Sequence, residues 1–210
     1  MAQETSNQVW PEADFYYRFN DRYRVRFVAS LTKDREAKDL TDGTFEWDID
    51  VGLMPILRPR LYEDPNTETG RFLFFRAGYA YLPAFSGENE HRGIAEITAR
   101  LPLPAKILLS DRSRGEVRSL GGDISTRYRN QIKVERDFAV SKFKLTTFGY
   151  AEFFYDTRFS AWSRTEYSGG IDIPVRKRWV FEANYLRQNN KQPQKSNVNA
   201  VGLVIQWYLP

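Results

Sequence analysis

The sequence predicts an all-β fold, an antiparallel up-and-down transmembrane β-barrel. Three observations carry this. Segments of about ten residues alternate strictly between apolar and polar side chains. The charges within those segments fall on one face. The opposite face is crowded with aromatic rings, a pattern that suits a barrel whose exterior meets lipid.

Taken in chain order, eleven segments alternate: 10–19, 22–32, 44–57, 71–82, 91–101, 106–118, 124–136, 142–155, 161–173, 178–188 and 197–209. Phe45 to Met54 is the clearest. Phe45, Trp47, Ile49, Val51 and Leu53 take one face, and Glu46, Asp48, Asp50, Gly52 and Met54 take the other. In 124–136, Arg127, Arg129, Gln131, Lys133 and Glu135 oppose Tyr128, Ile132 and Val134. Asn20-Asp21 and Gly121-Gly122-Asp123 are tight hairpin signals. Leu103-Pro104-Ala105 and Val175-Arg176-Lys177 also read as turns. Longer polar links are expected at 33–43, 58–70, 83–90, 156–160 and 189–196. Connections this short join antiparallel neighbours. Single-chain bacterial barrels carry an even number of strands. The expected count is therefore twelve, with an unread strand inside 33–43 or 58–70, or else ten. No linker or low-complexity tract divides the chain, so residues 1–210 read as one domain.

Composition narrows the alternatives. The chain has 210 residues, of which 41% are hydrophobic, 15% aromatic and 28% charged. No run approaches the roughly 18 apolar residues of a membrane-spanning helix. The aromatic content excludes a solvated, disordered coil. With no cysteine there is no disulfide framework, thiol nucleophile or thiolate metal site. A single histidine, His91, leaves little for metal binding or histidine-based catalysis. The formal charge of +4 is modest, and acids match the basic residues on the same segments, which argues against nucleic-acid binding.

The charge partition then decides which face is inside. The polar face carries arginines from Arg18 to Arg164, interleaved with acids from Asp14 to Glu182. The opposite face carries only Asp111 and Arg187 in segment interiors. A soluble barrel or sandwich would turn the apolar face inward. Packing rings such as Phe15, Trp47, Tyr79, Phe153, Trp179 and Trp207 into one barrel interior would overfill it. On a lipid-facing exterior their volume is unconstrained. Arginine rather than lysine dominates the polar face, and its fork can serve several carboxylates in a crowded lumen. Phe75, Tyr79, Phe153 and Leu203 are thus expected outside, and Arg76, Arg129 and Glu152 inside. Met1 to Thr5 hold no apolar core, so this stretch reads as a mature N-terminus after signal removal, with Met1 an added start. Leu203, Ile205, Trp207 and Leu209 alternate toward the C-terminus, like the insertion strand of bacterial outer-membrane barrels, although Pro210 replaces the usual terminal aromatic residue.

With the strands placed, the sequence resembles a family of small Gram-negative outer-membrane β-barrels catalogued as a domain of unknown function. The residues that carry the resemblance are Trp10 before the first strand, the Asn20-Asp21 hairpin, Arg76-Ala77-Gly78-Tyr79, the group Arg127, Arg129, Glu135 and Arg136, and Ala151-Glu152-Phe153-Phe154. The resemblance implies location in the bacterial outer membrane and no particular activity.

Inside the lumen, Glu46, Asp48 and Asp50 are expected to pair with Arg24, Arg26 and Arg76 on neighbouring strands. Segments 106–118 and 124–136 form a basic wall of Arg112, Arg114, Arg118, Arg127, Arg129 and Lys133, with only Glu116 and Glu135 nearby. Either acids reach it from across the lumen, or water and anions fill the gap. The functional expectation is a narrow porin-like channel or structural barrel, with Arg112, Arg114, Arg127, Arg129, Glu46, Asp48, Asp50 and Glu152 lining it. A scaffold barrel that binds a partner at its loops is the alternative, and a soluble lipocalin-like binder a further one. No enzymatic activity, cofactor or metal is expected. The expected partners are outer-membrane lipid, lipopolysaccharide and small anionic or zwitterionic solutes, and the barrel is expected to be a monomer.

Overall fold

Each polar–apolar alternating segment becomes one strand of a single closed sheet. The structure is a computed structural model and describes residues 4–34, 42–56, 66–84, 87–140, 143–192 and 196–209. In chain order the strands are β1 (Thr5–Arg18), β2 (Tyr23–Asp34), β3 (Asp42–Pro55), β4 (Arg71–Leu82), β5 (Glu90–Leu103), β6 (Ile107–Leu120), β7 (Asp123–Val140), β8 (Phe143–Asp156), β9 (Ala161–Val175), β10 (Trp179–Asn190) and β11 (Asn197–Leu209). Every sequential pair is antiparallel.

Closure departs from expectation. The barrel has eleven strands among the described residues, not twelve or ten. Each hairpin reverses the chain, so the first and last of an odd set run the same way. The seam is accordingly parallel, from Thr5 opposite Asn197 to Tyr17 opposite Leu209. A parallel ladder pairs backbone groups as completely as an antiparallel one, so an odd barrel leaves no edge open. An even count is a regularity of other single-chain barrels, whereas this sequence holds eleven alternating segments and the sheet closes on all of them. Residues 35–41 and 57–65, where a further strand was sought, lie outside the described residues. The first strand begins at Thr5, so Trp10 sits within it rather than before it.

Parallel closure also places the start of β1 and the end of β11 at opposite rims, here the N-terminal and C-terminal rims. The link between β6 and β7 at the N-terminal rim turns on Gly121 and Gly122, both with positive φ (58° and 94°), as a two-residue hairpin requires.

The two faces sort as the alternation predicts. Asp50 is 0% exposed and Arg76 6%, while their β3 and β4 neighbours Ile49 and Tyr79 are 61% and 43% exposed. Phe75, Phe153 and Leu203 point outward, and Glu152 and Arg129 point inward. The barrel is thus inside-out relative to a soluble one. Outside, Trp47, Tyr79, Tyr128, Tyr167 and Tyr185 stand toward the N-terminal rim, and Tyr17, Phe19, Tyr23 and Trp179 toward the other. Between them lie Ile49, Ile132, Val134, Ile171, Leu203 and Ile205. The two charges read on this outer face are there: Asp111 accepts from Asn130 Nδ2 at 2.7 Å, and Arg187 donates to two asparagines.

Candidate functional site: the ion-paired lumen

Strand register builds the site. Pairing of β2 with β3 sets Arg24 opposite Asp50 and Arg26 opposite Asp48, and pairing of β3 with β4 sets Arg76 opposite Asp50. Asp50 therefore sits between two guanidiniums, with Arg24 Nη2 and Arg76 Nε each 2.7 Å away. Arg26 Nε donates to Asp48 at 2.8 Å, and its Nη2 reaches Glu46. The expected pairing of the acidic strand is present in full.

The basic wall brings like charges face to face, because Arg114 and Arg129 are direct register partners. One acid of the wall itself and others from further strands meet these charges. Glu152 on β8 takes Arg112 at 2.8 Å and Arg129 at 2.7 Å. Glu116 on β6 takes Arg114 at 2.9 Å, Arg127 at 2.5 Å and Arg129 at 3.2 Å. Glu46 crosses from β3 to Arg114 at 2.9 Å. Asp156 meets Arg118 at 2.7 Å, and Glu90 also contacts it. Of these carboxylates Glu46 reaches over from a non-adjacent strand, whereas Glu116 stands on the wall itself and Glu152, Asp156 and Glu90 on the strands that flank it. Each of the eight expected lumenal residues belongs to this one network.

Aromatic rings inside the lumen escaped the sequence reading. Phe154 lies under Arg129, Arg164 and Arg127, at 4.6, 5.1 and 5.6 Å from ring centroid to guanidinium carbon. Phe74 likewise faces Arg24, Arg76 and Arg100. A planar guanidinium can bond carboxylates at its edge and stack a ring on its face, so these rings hold the arginines flat. The signal was available, since Phe154 shares a face with Glu152 and Phe74 with Arg76.

Glu68 was also missed. It belongs to a 3-10 turn, Thr67–Gly70, within a link read only as polar. Its carboxylate receives Arg24 at 2.9 Å and Arg100, with Arg76 at 3.6 Å. Asn66 Oδ1 caps the turn at Glu68 N and also accepts from Arg24 Nη1 at 3.0 Å. Burial would raise the Glu68 pKa, but Arg100, Arg76 and Arg24 outweigh it and hold the carboxyl well below the usual range.

Two larger cavities lie in the lumen among the described residues. One of about 390 Å³ runs from the Glu68 turn past Asp14, Lys133 and Glu182. Another of about 730 Å³ lies toward the N-terminal rim, past Glu90, Arg118 and Gln188. Trp10, Glu12, Arg129 and Glu166 line both. These two polar chambers therefore adjoin at the four shared side chains. Among the described residues, no cluster of three or more histidine, aspartate or glutamate side chains could hold a metal ion.

Residues 7–199 match the family described as "Protein of unknown function (DUF2490)". The chain belongs to this family. The match spans every residue that carried the resemblance, and in this member those residues build the barrel wall. Trp10 donates to Gln8 Oε1 at 2.8 Å and packs on Leu186, Val198 and Ala200. Gly78 leaves room for the Asp48 carboxylate. No curated protein and no solved structure matches the chain.

Proposed function

We propose that this DUF2490 chain is an outer-membrane β-barrel of Gram-negative bacteria whose ion-paired lumen makes it a narrow, largely closed pore. The observation that carries the reading is the exterior: an aliphatic band bounded by aromatic residues toward both rims, wrapped around a charged interior. In water such a surface would be a large exposed apolar patch, which soluble monomers avoid. In a bilayer it is the solvated surface, and the aromatic residues lie at the headgroup level.

The lumen supports restriction rather than chemistry. Glu46, Asp48, Asp50, Glu116 and Glu152 are committed to arginines, several of which also stack on rings, an arrangement that rigidifies a barrel. What passes must squeeze between Glu12, Glu166 and Arg129, where both signs of charge meet. That favours small zwitterionic solutes over the simple anions suggested by an unpaired basic wall. A structural barrel without transport is the second reading, favoured by the Glu68 turn lodged in the lumen.

The test has two stages. Purified protein should require detergent for solubility and show heat-modifiable migration on a gel. Planar-bilayer recording should then give small, infrequent openings. A chain that stays monomeric without detergent would sink the membrane reading. A silent bilayer with correctly folded barrel would leave the structural one.

A further inference from the structure

We propose that Arg187 is the centre of a lipid-headgroup site that binds the phosphate of an anionic lipid across the barrel seam. The proposal rests on the membrane reading and adds a ligand class and a place to it. Arg187 lies on the outer face of β10, three residues from its end at the N-terminal rim. Its Nε donates to Asn189 Oδ1 at 3.0 Å and its Nη1 to Asn199 Oδ1 at 2.8 Å. Asn199 Nδ2 in turn donates to Asn7 Oδ1 at 3.3 Å. One chain of polar side chains thus runs from β10 over β11 to β1.

The chemistry of this chain differs from that of the lumen. Arginines inside are neutralised by carboxylates, whereas the partners of Arg187 are neutral carboxamides. They fix the orientation of the guanidinium and leave its charge uncompensated. Nη2 takes no part in these two bonds, and the guanidinium fork suits phosphate oxygens. Tyr167 stands directly opposite Arg187 on β9, and Tyr185 two residues below it on the same face. Both are about half exposed, at 49% and 54%. Tyrosines and an arginine at the edge of an apolar band mark the depth of lipid phosphates.

The location adds a consequence. Arg187, Asn199 and Asn7 straddle the parallel β1–β11 seam, the one parallel pairing among the described residues, and parallel ladders are slightly weaker per residue. A phosphate held by β10 and β11 beside β1 would brace that seam.

The experiment uses folded, detergent-solubilised barrel and counts lipid adducts by native mass spectrometry, with heat-modifiable migration as a second readout. Phosphatidylglycerol is expected to bind with at least about tenfold preference over phosphatidylcholine and to raise the unfolding temperature of the barrel. Arg187→Gln should remove both effects, and Arg136→Gln, an outer arginine near the opposite rim, should keep them. Asn199→Ala retains the charge but loses its orientation, and should weaken binding by a smaller factor. It carries the test if Arg187→Gln does not fold. Equal binding of both lipids would overturn the proposal, as would an undiminished phosphatidylglycerol effect in the variants. Full reproduction of the stabilisation by inorganic phosphate would also overturn it in favour of a simple anion site. Failure of the membrane reading is distinct, because it would appear first as a chain that needs no detergent.

Discussion

Arg114 and Glu46 meet within the lumen, Nη2 to Oε2 at 2.9 Å, although two strands, β4 and β5, separate β6 from β3 in the sheet. The pair is bound into a wider lattice, since Glu46 also takes Arg26 and Arg114 also takes Glu116. A tie of this kind braces one sector of the barrel from within the lumen. Removing Glu46 takes one carboxylate from two buried guanidiniums at once, leaving Arg114 with Glu116 and Arg26 with Asp48. Glu46→Ala is therefore expected to destabilise the barrel by about 3 kcal/mol or more, read as a lower denaturant midpoint in detergent. Removing both charges, as Glu46→Leu with Arg114→Met, should cost less than Glu46→Ala alone. A double variant that costs the sum of the singles would show that the tie is not a coupled pair.

Gly78 tests how closely the wall is packed. A Cβ there would overlap the Asp48 carboxylate and lie 2.6 Å from the Trp47 carbonyl oxygen. Gly78→Ala must displace Asp48 from Arg26 or shift the strand, at a cost of about 1–3 kcal/mol. Gly93→Ala, where nothing lies within 4 Å of the added atom, should change stability little. Equal midpoints for the two variants would contradict the close approach at Asp48.

The Glu68 carboxyl predicts a pH dependence with a defined sign. Its pKa is held below the ordinary value of 4.5 in the folded barrel. The native state thus binds fewer protons than the unfolded chain, and stability is present in full above that ordinary value. It is lost as pH falls below it. Wild-type unfolding midpoints should drop on acidification, and Glu68→Gln should flatten that part of the curve while lowering stability at neutral pH. An identical slope in wild type and variant would remove Glu68 as the source.

Arg129 lines both chambers and carries the strongest prediction about passage. Replacing it with serine removes a guanidinium that closes the space between Trp10, Glu12 and Glu166. Arg129→Ser should raise single-channel conductance several-fold over wild type and shift selectivity toward cations, because Glu12 and Glu166 remain. Conductance unchanged from wild type would place the restriction elsewhere, the Glu68 turn being next to examine.

Strand placement, face and the local acid–arginine pairs were legible in the sequence because a strand's side chains repeat every two residues. Alternation alone therefore puts Asp48, Asp50 and Arg76 on one face and Tyr79 on the other. Arg24 and Arg26 could be assigned to the acidic strand because they lie on the polar face of its sequence neighbour, although the long links on both sides of β3 left the exact register to the closed sheet. What lies across the lumen has no such local signature. That Glu46 serves Arg114, that Glu68 folds back onto Arg24 and Arg100, and that Phe154 supports three guanidiniums all depend on barrel diameter and closure. Closure itself was set by the tertiary structure: with eleven strands the seam must be parallel, and only the closed sheet brings Asn7 beside Asn199 and Arg187.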